Sequence, residues 1–340
     1  MVKFARHAVV CTLITLLPLA SAIAATNSHK HPVKKHTVHK KVVAIAASGK
    51  SVKRTVVVNG KRKVVVQRVS MVREVPEKPS SGDIAGLKNT QDPLDLKSSV
   101  AYVVDQDSSK VLFEKNSDVS LPIASITKLM TSLVVVEAHQ DMDEVIEVTN
   151  EDIDKEKGTS SRLKIGAKLS RSDMLHIALM SSENRAASAL GRNYPGGLPA
   201  FVGAMNAKAR QLGMSDTHYV DSSGLSSQNR ASARDLVKLV NAAYQHPLIR
   251  QYSTDSKYVV APGGRPLEYG TSNKLVANPA WEIGLQKTGY IAEAGRCLVM
   301  QAMIEGRAIV MVFLDSKGKY SRLADADRIK KWLETIKPHA

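Results

Sequence analysis

Between Leu121 and His139 the apolar residues Ile126, Leu129, Met130, Leu133, Val134 and Val136 recur at helical spacing. That is the stripe of a helix buried along most of its length. Pro122, tolerated before a helix but not inside one, bounds its start. Upstream, Val100, Tyr102 and Val104 alternate with Ala101 and Val103, and a polar turn over 105–110 leads to Val111-Leu112-Phe113. This predicts a hairpin feeding the helix. A short strand is expected at 145–148 and polar, irregular chain at 158–166. Helices follow at about 171–180, 183–192, 198–212 and 231–245. After Pro247 the pattern changes: 283–286, 297–304 and 308–314 read as strands, with turns at 292–295 and Glu305-Gly306, and 322–336 closes as an amphipathic helix. Hairpin, helices, three strands and a last helix predict an α+β fold, an α/β/α sandwich. Its five-stranded antiparallel sheet is flanked by helices, with a helical subdomain, and is not a parallel βαβ array.

Charge divides the chain. Of the formal +16 over 340 residues, thirteen Lys or Arg and no acidic residue fall in 25–73, leaving about +1 for 74–340. Residues 1–24 read as a secretory signal: Lys3 and Arg6 precede a short apolar stretch, and Ala22-Ile23-Ala24 fits the cleavage rule. Cys11 lies in that signal, so the mature chain keeps Cys297 alone and no intramolecular disulfide is expected. No later segment is long and apolar enough to anchor in a membrane. The expected product is exported to the periplasm, soluble or loosely associated with membrane or wall. In the basic arm, 25–73, Val56-Val57-Val58 and Val64-Val65-Val66 flank an Asn59-Gly60 hairpin signal, in an otherwise largely disordered stretch. The arm suits an anionic wall or membrane surface, or simply a solubilising tether. Nucleic acid is not expected, because the arm lacks aromatic residues for stacking. His29, His31, His36 and His39 lack a scaffold, and neither metal nor cofactor is expected. Residues 74–95, rich in Pro, Ser and Gly, read as a linker, and the catalytic body as 96–336.

Three short constellations interrupt the apolar pattern. Ser125 and Lys128 stand one helical turn apart, so hydroxyl and amine can share a proton. A lysine in a dry setting has a lowered pKa and can activate a serine. The same spacing recurs at Ser161/Lys164 and Ser316/Lys319, both read as solvated turns. Ser182-Glu183-Asn184 joins two buried helices, where it fits either a proton relay facing a cleft or a plain helix cap. Ser227-Gln228-Asn229, in a Gly/Ser-rich turn, lacks that helical frame. Lys287-Thr288-Gly289 is expected at the end of a strand, with Lys287 on the face of Ile283 and Leu285, in a site or an ordinary turn. Gly289 admits close approach of a ligand backbone, and the N–H groups of Ser125 and Tyr290 are a candidate oxyanion hole.

Taken in order, these three elements resemble the penicillin-recognising serine enzymes, with their S-x-x-K, Ser-x-Asn and K-T-G signature. The resemblance spans roughly 96–333. It is narrower toward the low-molecular-mass penicillin-binding proteins of the D-alanyl-D-alanine carboxypeptidase family, in particular the periplasmic endopeptidases. Pro122 to Lys128, 219–225, Thr271-Ser272-Asn273 and Lys287-Thr288-Gly289-Tyr290 carry it, with Glu293 to Cys297. It implies a β-lactamase/transpeptidase-like fold and Ser125 attack on the carbonyl between two D-residues of a peptidoglycan stem or cross-link. Lys128 would be the base, and Ser182 and Asn184 the relay and peptide-orienting pair. Lys287 would supply positive charge, and Thr288 with Gly289 would bind the substrate. Penicillins and other β-lactams would be trapped as covalent inhibitors. No counterpart of the class A deacylating glutamate is evident, so fast β-lactam hydrolysis is not expected. Relatives of the carboxypeptidase type carry a further β-rich domain and an anchor, whereas about fifty residues follow Lys287 here. The expected activity is D-alanyl-D-alanine endopeptidase. A carboxypeptidase that trims stems, a β-lactamase on the same fold and a non-catalytic wall-binding protein are the alternatives.

Overall fold

The computed structural model describes residues 78–336 together with the backbone of two strands, Ser51–Val58 and Lys61–Arg68. Those two strands pair antiparallel, with Val58 opposite Lys61, and the Asn59-Gly60 pair lies outside the described residues. The signal, the four histidines and the last residues of the chain lie outside the described part. The chain divides into two units between Glu74 and Val75.

In the second unit, β1 (Ser98–Asp105), β2 (Val111–Lys115), β3 (Glu282–Ile291), β4 (Gly295–Ile304) and β5 (Arg307–Ser316) form one antiparallel sheet in the order β3-β4-β5-β1-β2. The early hairpin and the late three strands are thus one layer, joined where β5 pairs with β1. Between them run α1 (Thr127–Glu137), α2 (Arg171–Met180), α3 (Asn184–Arg192), α4 (Gly197–Gln211), α5 (Ala233–Tyr244) and α6 (Pro247–Thr254), and α7 (Ser321–Thr335) follows the sheet.

Period-two alternation gives the sheet two buried faces. Val100, Leu285, Val299, Val310 and Val312 pack into the large core shared with the central helices. Ala101, Val103, Leu298, Met300, Met311 and Phe313 pack against Ala326, Ile329 and Leu333 of α7. The result is the expected α/β/α sandwich. Helix α1 is its axle: nine of its eleven residues are buried.

Four sequence expectations need correction. Residues 80–95 are not a plain linker, since a capped turn at Ser81–Ile84 and a 3-10 turn at Leu87–Asn89 precede the sheet. The pattern break at Pro247 is the start of α6, with Pro at its first turn, and a two-stranded ribbon, Lys257–Val260 with Leu267–Gly270, follows it. Lys287 lies inside a ten-residue strand, not at a strand end. A register shift between Ile283 and Leu285 then sends Ile283 to the α7 side and Leu285 to the helical core. Lys287 therefore shares a face with Leu285 only, because the bulge resets the alternation.

The sheet is fastened to α7 by Asp325, fully buried, whose carboxylate accepts the N–H groups of Lys97 and Ser98 (3.0 and 2.8 Å) and the Ser98 hydroxyl (2.6 Å). Truncation to alanine strands buried donors at a cost of about 1–3 kcal/mol each. Asp325→Ala is expected to lower stability by about 3 kcal/mol in urea unfolding. Arg328→Ala, which removes only the partly exposed partner of Asp325, should cost less than about 1 kcal/mol. Equal losses would contradict the anchoring role.

Candidate active site

Ser125 sits in a 3-10 turn, Ala124–Ile126, that runs directly into α1. The turn is held from both sides by glycines. Ala124 has φ 48°, a left-handed conformation unfavourable for a residue with a Cβ. A Cβ on Gly224 would fall 2.0 Å from the Ala124 carbonyl oxygen, and one on Gly289 would fall 2.8 Å from that of Ile123 and 3.2 Å from the Ser125 nitrogen. The backbone carrying Ser125 is thus pressed between a loop and β3, and that packing keeps the strained turn in place.

Lys128 has no solvent exposure. Its Nζ lies 2.9 Å from Ser125 Oγ, 2.7 Å from Asn184 Oδ1 and 2.6 Å from the Ser223 carbonyl oxygen. Burial pushes the amine down to about 8, while the carboxylates of Asp221 and then Glu183 act in the opposite direction. The loop supplying Ser223 is built on Asp221, which accepts the N–H groups of Ser223 (2.6 Å), Gly224 (2.6 Å) and Ser226 (3.0 Å). Asn229, also without solvent exposure, accepts from the N–H groups of Val220 and Asp221 and donates to Thr127 Oγ1 at the head of α1. The Ser227-Gln228-Asn229 stretch is therefore a strut for the site.

Helix α2 ends at Met180 with Ser181 as its C-cap, and Ser182 turns the chain with φ 64°. Glu183 caps α3 by accepting the Arg185 N–H, so the plain cap role falls on neither Ser182 nor Asn184. Ser182 and Asn184 are left to face the cleft, where a cavity of about 500 Å³ is lined by Ser182, Glu183, Asn184 and Arg162. They reach two different lysines: Asn184 meets Lys128, and Ser182 Oγ lies 3.0 Å from Lys287 Nζ. Lys287, also fully buried, donates to the Thr288 carbonyl at 2.9 Å as well. Its burial, and then the charges of Lys128 and Arg322, hold its amine well below the usual lysine range. Thr288 Oγ1 is 2.7 Å from Ser272 Oγ, and half-exposed Tyr290 follows Gly289 on the same strand, opposite Arg296.

The sequence-predicted residues thus converge: Ser125, Lys128 and Asn184 form one linked set, and Ser182, Lys287 and Thr288 another. Gly289 stacks its backbone on the Ser125 turn. Of the two spacing decoys, Ser161 donates to Glu183 Oε1 at 2.7 Å, and Ser316 is buried at the end of β5. The first is the exposed turn expected, with Lys164 open to solvent, whereas Ser316 departs from that reading. Asp221 and Ser223, within the 219–225 match, and Asn229, in the stretch set aside as lacking a helical frame, also join the site, and Arg322 joins it without any motif that marks it. Arg322 is 8% exposed, and its Nε and Nη1 have no hydrogen-bond partner among the described residues. A guanidinium stays charged even when buried, so the permanent positive charge beside Lys287 belongs to Arg322.

Comparison with known proteins agrees with this geometry. Residues 87–318 match the family model described as D-alanyl-D-alanine carboxypeptidase. A D-alanyl-D-alanine endopeptidase of Pseudomonas aeruginosa is 47% identical over 253 residues, covering 74% of this chain and 81% of that protein. One from Escherichia coli is 41% identical over 280 residues, covering 82% and 90%. The crystal structure of the Streptomyces K15 DD-transpeptidase shares the fold, with a TM-score of 0.67, 24% identity and coverage of 73% of this chain and 100% of that one. With the family model matching well over half its length, this chain belongs to the D-alanyl-D-alanine carboxypeptidase family of serine peptidases.

Proposed function

We propose that the protein is an exported, periplasmic D-alanyl-D-alanine endopeptidase that opens peptidoglycan cross-links through an acyl-enzyme on Ser125. The observation that carries this reading is the bonding of the Lys128 amine. A neutral amine has two N–H groups and one lone pair. Asn184 Oδ1 and the Ser223 carbonyl are acceptors only, and both lie within 2.7 Å of Nζ. They take the two N–H groups, and the lone pair is left for the hydroxyl hydrogen of Ser125. Endopeptidase is preferred to carboxypeptidase because the relatives at 47% and 41% identity bear that name.

In this mechanism Ser125 Oγ attacks the carbonyl carbon between two D-residues as its proton passes to Lys128 Nζ. The developing oxyanion meets the N–H groups of Ser125 and Tyr290. The carbon–nitrogen bond breaks, and the proton that Lys128 took passes through Ser182, which Lys287 holds, to the leaving nitrogen, so that Lys128 is neutral again. Water then attacks the ester and gives a proton to Lys128, which passes it to Ser125 Oγ as the acyl–oxygen bond breaks, and the free hydroxyl and neutral amine are restored. The Thr288 hydroxyl and the unpartnered Arg322 guanidinium receive the carboxylate next to the scissile nitrogen. That anion is present whether one D-alanine or a cross-linked stem leaves. β-Lactams, whose strained amide presents the same carbonyl and carboxylate, follow the first half of this path.

Intact-mass analysis after incubation with benzylpenicillin should show one stable adduct on the wild type and none on Ser125→Ala. Lack of an adduct on the wild type, with the drug intact, would overturn the assignment. Lys128→Ala should slow acylation by about 10²–10⁴-fold.

Acylation needs Lys128 unprotonated, so its rate should fall about tenfold per pH unit below about 8 and level off above it. The Glu183 carboxylate stabilises the protonated amine. Glu183→Gln, which keeps an acceptor for the α3 cap, should shift this limb to lower pH in stopped-flow acylation. A limb that stays in place or moves to higher pH would argue against Lys128 as the titrating base.

A further inference from the structure

The four cations Lys274, Arg296, Lys319 and Arg322 collect around the far edge of β3, beyond Thr288. Lys274 follows Asn273 in the segment whose Ser272 hydroxyl meets Thr288. Its Nζ stands 5.2 Å from the ring centre of Tyr320, and Lys319 Nζ stands 5.4 Å from the same ring. Tyr320 leads into α7, two residues before Arg322. The Arg296 guanidinium lies 4.4 Å from the ring centre of Tyr290, directly across the β3–β4 pair. Both rings are open to solvent, at 52% for Tyr290 and 50% for Tyr320.

None of these four cations has a carboxylate partner among the described residues. Nearby surface lysines are treated differently: Lys317 is 2.7 Å from Asp83, and Lys157 is 2.7 Å from Glu293. Other cations of the body, Lys110, Lys164, Arg265 and Lys331 among them, likewise lack a carboxylate partner among the described residues, but only at Tyr320 do two cations share one aromatic ring there. Unpaired like charges at one place repel, and stacking on two aromatic faces offsets only part of that cost. Such a cluster is what an anionic ligand requires.

Arg322 and Thr288 together suffice for one carboxylate. We propose that Lys274 and Lys319, seated on Tyr320, form a second anion subsite that receives further carboxylates of the leaving peptide, and so select a multiply charged cross-linked stem over a single D-alanine. The inference rests on the endopeptidase reading and assigns its specificity to residues away from the reacting atoms. A single D-alanine brings one carboxylate, next to its amine. A cross-linked stem brings others farther along the peptide, and those reach the rim outside Arg322.

The test compares wild type with Lys274→Ala/Lys319→Ala on three substrates. These are a cross-linked muropeptide dimer, the same dimer with its acceptor-stem carboxylates amidated except the one beside the scissile nitrogen, and a monomeric stem ending in D-alanyl-D-alanine. The variant should lose about tenfold in kcat/KM on the free-acid dimer at low salt. Its rates on the monomer and its acylation by benzylpenicillin should stay within about twofold of wild type. Wild type should lose a similar factor on amidation, with no further loss in the variant. Loss shared by all substrates, or none on the free-acid dimer, would overturn the subsite while leaving endopeptidase activity intact. A wild type that does not cleave the dimer at all would instead overturn the endopeptidase reading, and this inference with it.

Discussion

A lysine amine kept dry beside a serine is the constraint on which the rest of the structure depends. Burying an ammonium without a partner is costly, and the protein's answer is to lower its proton affinity rather than to pair it. No carboxylate lies within ion-pair distance of Lys128 among the described residues. Asp221 and Glu183 act on it from farther away and keep its pKa from falling below about 8. The amine is therefore within reach of neutrality near physiological pH, while three oxygens fix its direction. Solvent at any of those places would restore the charge and misalign the lone pair.

Holding three oxygens around one nitrogen draws on three separate parts of the chain. Ser125 comes from the turn before α1, Asn184 from the first residue of α3, and Ser223 from a loop between α4 and α5. Each part has its own local fastening. Ala124 is held in the left-handed region between Gly224 and Gly289. Glu183 closes α3 from below, so Asn184 is free to face the amine. Asp221 and Asn229 organise the loop by accepting its backbone N–H groups and tie it to Thr127. Of the eight non-glycine residues with positive φ among those described, Ala124 and Ser182 flank the chemistry, where surrounding packing stabilises them.

The parts of this arrangement legible in the sequence are those that depend on short spacing. Ser125 and Lys128 meet because one helical turn separates them. Ser182 and Asn184 stand out because they form a polar break between two apolar helical faces, and such a break lies either in solvent or against a cleft. The sheet and its layers follow from alternation in 98–115 and 282–316. The strand containing Lys287 looks too short in the sequence because Gly289 resembles a terminator. The glycine instead lets β3 lie against the Ser125 turn, a contact between segments more than 160 residues apart. Ser223 lies in the 219–225 match, but it contributes only a carbonyl, which any residue has, so no side-chain pattern marks its role. Arg322 opens an amphipathic helix rich in charge, where one more arginine attracts no notice. Its importance lies in having no partner, and only the folded chain can show that.

The two buried lysines also explain why the cleft is electrically asymmetric. Burial lowers the proton affinity of both, and the charge of Lys128 adds to the effect on Lys287, so each gives up its charge more readily than an exposed lysine. A catalyst built on a neutral amine must place its permanent cations elsewhere, close enough to orient an anionic substrate yet not so close as to raise the barrier to proton transfer. Arg322 meets the first need, and its charge is one of those that hold Lys287 low. The lysines around Tyr320 stand farther out and serve recognition alone. In the proposed mechanism, separating the base, which must be able to lose its charge, from the anchors, which must keep theirs, follows from using lysine for proton transfer on a substrate that carries carboxylates. It also accounts for the choice of residue at each place: lysine, whose pKa yields to burial, at the serine, and arginine, whose charge does not, at the buried anchor.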